Sequence, residues 1–309
     1  MFNGKKFLMA VGMAMAVVLG GSAVQAAPTD AAKEQFCQET LSLVDCDQGQ
    51  LLMSMDADVK SMIHCHYESK LYFAAKPQLA GKGTVKVTMA VPNQPVSSIE
   101  RDYYLQEKDE QLVAYFQTPD NSWVKSAVAM PAAQKKLYME SNKELVQASL
   151  ETVKAVELGQ ANGDKQSYMV TVDGEKILPY FAKVMSMAGE DGNNMLPLLK
   201  PVLENIGDFT YTIEIDRAKH MVTGMQADLT EPLRKMALAS IDPAKSTPEQ
   251  VAKAKELIGT STMNLAIKAV PMDKVPNLKV PKKVEREAKA VKVERINGQQ
   301  AAPKTADSK

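Results

Sequence analysis

The sequence predicts an α+β fold: a curved antiparallel β-sheet, an unclosed half-barrel, with helices packed on its concave face. Three observations carry this expectation. About nine segments alternate apolar and polar side chains with period two, the pattern of a half-buried strand. These segments come mostly in consecutive runs separated by turn residues, which favours antiparallel neighbours. Blocks of helical period stand between the groups of strands, so helices can cover one face of the sheet.

Taken in chain order, residues 28–45 are polar with scattered apolar positions and read as a short helix. Leu51, Met53, Met55, Ala57 and Val59 then alternate with Ser54, Asp56 and Asp58, which predicts a strand. Ile63, Cys65, Tyr67, Leu71 and Phe73 form the apolar side of a second strand, with His64, His66, Glu68 and Lys70 opposite. Residues 77–83 read as a turn, and Val85, Val87, Met89 and Val91 as a third strand. Residues 103–106, 112–117 and 123–128 predict three more. Thr-Pro-Asp-Asn at 118–121 makes a turn between the last two, since proline fixes φ and asparagine tolerates positive φ.

Beyond residue 130 the period changes. Residues 132–158 lack proline and glycine and place Leu145, Val146, Leu150, Val153 and Val156 at helical spacing. Asn162-Gly163-Asp164 breaks the chain before a strand at 167–172. Residues 178–188 and 195–206 read as two short helices, the second containing Pro197 and Pro201. Phe209, Tyr211, Ile213 and Ile215, then Met221, Thr223, Met225, Ala227 and Leu229, predict a hairpin turning at 216–219. Residues 231–241 fit more than one assignment. Ser246 or Thr247 caps a helix that carries Pro248 and Glu249 in its first turn and runs to about Ile258. Met263, Leu265, Ile267 and Ala269 form the last clear strand. Residues 271–283 are extended, with prolines at 271, 276 and 281, and 285–296 could form a helix.

The first 26 residues predict a cleaved export signal. Lys5 and Lys6 precede an apolar core at 7–19, and Val24 and Ala26 place small side chains before a cut at Ala27. No cysteine stands at the cut, so a lipid anchor is not expected. The mature chain holds no apolar stretch of about 18 residues, so no transmembrane segment is expected either. The expected location is periplasmic or extracellular. The organisation follows: a signal peptide at 1–26, one domain over 27–283, and a basic, partly disordered tail over 284–309. The 37 basic groups less Lys5 and Lys6 leave 35 against 37 acidic ones, a balance that excludes a globally basic nucleic-acid binder.

Export makes a disulfide plausible, and Cys37, Cys46 and Cys65 allow three single bridges, each leaving one thiol over. A helix through 30–45 would separate Cys37 from Cys46 by about 13 Å, well beyond disulfide reach.

Motifs of catalysis are absent: no His-Glu-x-x-His, no Gly-x-Ser-x-Gly and no phosphate-binding glycine loop. A non-enzymatic role without a cofactor is the expectation. His64-Cys65-His66 is the one metal-like cluster, with Glu68 as a further donor, but its face looks solvated and no metal is assigned. Glu-Asp-Gly-Asn-Asn at 190–194 has the composition of a calcium loop without its spacing.

Three blocks, Tyr103-Tyr104-Leu105, Val113-Ala114-Tyr115-Phe116 and Ser122-Trp123-Val124-Lys125, follow the first strands. A helical block and then the strands at 209–216 and 221–229 come after them. This order resembles the LolA-like superfamily of periplasmic lipoprotein carriers and related lipid-binding proteins. The resemblance covers roughly 30–283. It implies an open half-barrel, a helical lid, an apolar cavity for acyl chains, and a lipid or acylated lipoprotein as partner. Methionine suits a wall that adapts to varied chains. The candidate wall is Met53, Met55, Val87, Met89, Ile213, Met225 and Leu265. The alternative expectation is an envelope protein-interaction or stress-sensing module whose core is packed solid and whose partner is another envelope protein.

Overall fold

The computed structural model describes residues 31–43, 46–59, 62–129, 143–187, 196–197, 200, 203–239, 241 and 247–291. The expected signal peptide, the calcium-like stretch at 190–194 and the chain end beyond 291 lie outside the described residues.

Helix α1 spans Ala31–Leu41. Six strands follow: β1 (Gln48–Val59), β2 (Ile63–Ala74), β3 (Ala80–Ala90), β4 (Ser97–Lys108), β5 (Gln111–Gln117) and β6 (Trp123–Ala129). After α2 (Lys143–Glu151) come β7 (Val153–Asn162), β8 (Lys165–Val172), α3 (Gly174–Met187), β9 (Phe209–Asp216) and β10 (Met221–Asp228). The chain continues with α4 (Thr230–Ala239), α5 (Pro248–Thr260), β11 (Ser261–Pro271), α6 (Lys282–Glu287) and β12 (Lys289–Ala290).

The strands build one sheet in the order β12-β6-β5-β4-β3-β2-β1-β11-β10-β9-β8-β7. Two meanders, β1 to β6 and β7 to β11, join where β11 pairs along the length of β1, from Gly49–Pro271 to Val59–Ser261. Every neighbouring pair is antiparallel except β12 on β6. The outer strands do not meet, so the sheet is not closed and the fold is α+β as expected.

One face, the inner one, carries helices α1 to α3. Phe36 of α1 packs with Val156, Tyr168, Val170, Ile213, Ile215 and Val222 from β7 to β10. Its ring centroid lies 5.3 Å from that of Tyr168. Ile177 of α3 packs with Val172 and Leu203, and Ala148 of α2 with Tyr180, Val184 and Met185 of α3. Helix α5 starts with a capping box: Thr247 Oγ1 accepts from the Gln250 backbone N–H at 3.2 Å, and Gln250 Oε1 accepts from the Thr247 N–H at 2.9 Å.

Several elements differ from their expectation. The helical reading of 132–158 fails at its end: α2 stops at Glu151 and Val153 opens a strand, while 132–142 lies outside the described residues. The cause is a bulge. Val153 pairs with Val172 and Val156 with Val170, so one extra residue sits between them and both valines face inward at a spacing of three. That spacing mimics a helix. The turn expected over 77–83 ends earlier, because Ala80 already starts β3. Gly81 and Gly83 belong to the strand, where side chains of Leu71 and Tyr103 lie over them. Of the residues left open at 231–241, those up to Ala239 belong to α4, whose first turn is capped by Asp228 accepting from the Thr230 N–H at 2.9 Å.

The C-terminal segment also departs from a simple tail. Val280, Val284 and Ala288 are buried against Tyr104 and Tyr115, with Trp123 and Val113 beside them. Tyr104 and Tyr115 point to the outer face, so α6 straps the side of the sheet opposite α1. The packed unit therefore continues past residue 283. Trp123 is the only tryptophan in the chain, which makes the strap readable by fluorescence. Val284→Asp is expected to lift the strap and shift Trp123 emission to the red; an unshifted spectrum would mean that the strap stays down.

Candidate ligand-binding face

The register places all seven candidate wall residues on the inner face. Met55 stands between Leu265 on β11 and Tyr67 on β2, and Tyr67 stands beside Val87 on β3. One step along, Met53 is beside Ile267, Ile267 beside Met225, and Met225 beside Ile213. Met89 pairs with Cys65 on the same side. Side chains opposite one another across antiparallel strands share a face, so residues spread over the chain from 53 to 265 form adjacent rows.

The rows are not uniformly covered. Met53, Met55 and Ile213 are buried, and Ile213 belongs to the packed cluster beneath α1 rather than to open space. Val87, Met89, Met225 and Leu265 are half-buried. Further toward β4, Ile99 is 39 % exposed. The inner face thus has a sealed half over β7 to β10 and a more open half over β2 to β4. Beyond the Met55–Leu265 pair, Ala57 and Met263 continue the apolar row into a depression of about 190 Å³. That depression is walled by Val59, by Leu233 and Ala237 of α4, and by Ile258 of α5.

Residues not singled out from sequence add polarity to this surface. Ser69 and Tyr103 hydroxyls lie 3.1 Å apart on the inner face, and the Tyr67 hydroxyl also meets Ser69. The alternation already puts Tyr67 on the apolar side of β2, but nothing in the sequence announces that Tyr103 reaches across a strand to Ser69.

The outer face is different in kind. A second, open depression of about 430 Å³ is lined by Ser54, Asp56, Thr212, Gln226, Asp228 and Asn264. Beside it, His66 Nδ1 lies 2.6 Å from Asp56 Oδ1, and its Nε2 lies 3.5 Å from Glu68. His64 Nδ1 lies 3.4 Å from Asp58. Asp56 and Asp58 on β1 stand opposite His66 and His64 on β2, and Glu68 follows on β2 itself. Among the described residues no group of three His, Cys, Asp or Glu side chains is arranged to hold a metal.

The hydrogen bond to Asp56 holds the His66 pKa above the ordinary imidazole value, with Glu68 adding to it and slight burial opposing it. The raised folded-state pKa means that the pair stabilises the fold below the unfolded value of about 6.5. That contribution is lost as pH rises through the folded value. An NMR titration should place the His66 midpoint above that of a free imidazole, and Asp56→Asn should bring it down. A midpoint unmoved by Asp56→Asn would contradict the pairing.

The three cysteines are free thiols in the structure. Burial pushes the pKa of each upward, which keeps them protonated and poorly nucleophilic. No described helix is long and apolar enough to cross a membrane. The chain matches no protein-family model and no curated protein.

Proposed function

We propose that this is an exported, non-catalytic carrier that holds a lipid, or the acyl chain of a lipoprotein, against the open half of its inner face. The observation that carries the reading is the shared face of Met53, Met55, Val87, Met89, Met225 and Leu265, brought together by the register and left half-covered toward β4. An unclosed sheet with α1 to α3 over one face is the arrangement that the LolA-like resemblance implies, and it supports the reading. Each CH₂ removed from water contributes about 0.8 kcal/mol, so a sixteen-carbon chain gains up to roughly 12 kcal/mol before ordering costs. Methionine side chains bend to accommodate different chains without a fixed pocket shape. The helices α4 and α5, which flank the apolar depression at the end of β1 and β11, are the natural elements to move as a chain enters.

Titration with a fluorescent sixteen-carbon acyl probe tests this reading. Saturable uptake supports it, and the absence of uptake at any concentration below probe aggregation overturns it.

A second reading, an envelope protein-interaction or stress-sensing module, has one observation in its favour. The half of the inner face beneath α1 is filled, with Phe36, Tyr168 and Val170 at 0–2 % exposure. On that reading the partner would be another envelope protein, and no lipid would be taken up.

A further inference from the structure

The open half of the inner face carries a hydroxyl cluster among its apolar side chains. Ser69 on β2 stands opposite Val85 on β3, and Val85 opposite Arg101 on β4. Tyr103, the next inward residue of β4, stands opposite Gly83. A Cβ added to Gly83 would lie 2.5 Å from both the Lys70 carbonyl oxygen and the Tyr103 ring, so the ring covers the glycine. Glycine is required there because any side chain would press on the Lys70 carbonyl and displace the ring. Laid over the strand in this way, Tyr103 brings its hydroxyl to 3.1 Å from Ser69 Oγ, and Ser69 in turn meets the Tyr67 hydroxyl. Three hydroxyls form a chain amid Met53, Val85 and Val87.

Each hydroxyl can donate one hydrogen bond and accept two, so a chain of three keeps capacity to bond a ligand. At the Tyr103 end, the phenol oxygen meets no described residue other than Ser69. Burial pushes the Tyr103 pKa up to about 12, so the phenol keeps its proton and remains a donor at any physiological pH. Next to it, Arg101 spends two nitrogens on the carbonyls of Glu100 and Pro119, at 2.6 Å and 2.9 Å. Its Nε–H is a donor without a partner among the described residues, and leaving a buried donor unpaired costs free energy. An oxygen acceptor carried on an apolar chain would satisfy it.

We infer that Ser69 and Tyr103, with Arg101 beside them, form an acceptor-seeking anchor on the inner face that receives the carboxylate or ester carbonyl oxygen of a long-chain acyl ligand. The inference rests on the carrier reading and adds polarity and direction to it: the chain runs along the methionine rows, and its oxygen-bearing end lies at β2 to β4. The anchor would make the protein select acylated compounds over plain hydrocarbons of equal length.

The test compares three probes on the full mature protein: hexadecanoate, its methyl ester, and the neutral hydrophobic fluorophore N-phenyl-1-naphthylamine. Tyr103→Phe keeps the ring over Gly83 and removes only the hydroxyl; Ser69→Ala removes the central link. Each is expected to weaken binding of the two acyl probes about tenfold, the effect of one hydrogen bond, and to leave the neutral fluorophore unchanged. Loss confined to hexadecanoate would assign the anchor to a carboxylate; loss of both acyl probes would assign it to the acyl carbonyl. Equal weakening of all three probes, or of none, in variants that unfold at the wild-type midpoint would overturn the anchor while leaving the carrier reading in place. Failure of the wild-type protein to bind any of the three would overturn the carrier reading itself.

Discussion

Replacing Phe36 by alanine should destabilise the protein by about 3–5 kcal/mol, the range for deleting a buried aromatic ring. Phe36 is 2 % exposed and is the large apolar side chain by which α1 packs on the sheet, against Tyr168, Val170 and Ile215. Ala32 and Cys37 add smaller apolar contacts, and the remaining attachments of α1 are polar. Gln35 Nε2 donates to the Tyr168 hydroxyl at 3.0 Å, Arg217 Nε lies 2.9 Å from Glu39, and Lys33 Nζ donates to the Val153 carbonyl at 2.6 Å. Polar contacts near the surface each contribute about 1 kcal/mol or less, so they cannot hold the helix once the ring is gone. The loss should therefore appear in urea unfolding as a lower midpoint at unchanged slope. Leu158→Ala, at a position 54 % exposed, supplies the contrast and should change stability by about 0.5 kcal/mol or less. A Phe36→Ala protein as stable as wild type would mean that α1 does not seal the inner face.

Val87→Asp should weaken uptake of a sixteen-carbon acyl probe roughly 10- to 100-fold, the cost of setting a polar group against an apolar chain. Val87 is half-buried beside Tyr67 on the open half of the inner face, so a carboxylate there can reach water in the empty protein. Stability should change little compared with Phe36→Ala. The separation of the two effects is the informative part, because the account assigns stability to the sealed half and binding to the open half. Full binding by the Val87→Asp protein would remove β3 from the binding surface.

The sheet was legible because period two is a local property of a half-buried strand. Met53 and Met55 on β1, or Ile213 and Ile215 on β9, declare their face within a few residues. The bulge in β7 was not legible, since Val153 and Val156 at a spacing of three read as a helix until β8 shows which residues they oppose. The glycines of β3 misled in the same way. Gly81 and Gly83 look like turn residues in sequence, and only Leu71 and Tyr103 lying across them explain why a strand needs them. The strap was hidden because Val280, Val284 and Ala288 are sparse among prolines, lysines and glutamates, and three small anchors find their site only in the aromatic patch of Tyr104, Tyr115 and Trp123.

For the candidate site, alternation alone brought the seven wall residues to one face. It could not tell which of them lie under a helix, because that depends on where α1 lands. Ile213 falls in the sealed core for that reason. Nor could alternation find the hydroxyl chain, which depends on Tyr103 leaning over Gly83 across two strands.

The most direct test of the carrier account is native mass spectrometry of the protein purified from its own cell envelope, followed by solvent extraction. The account predicts a discrete mass above that of the mature chain, recovered in the extract as a lipid. The bare mature mass, with nothing extracted and nothing taken up on incubation with lipid, would contradict it.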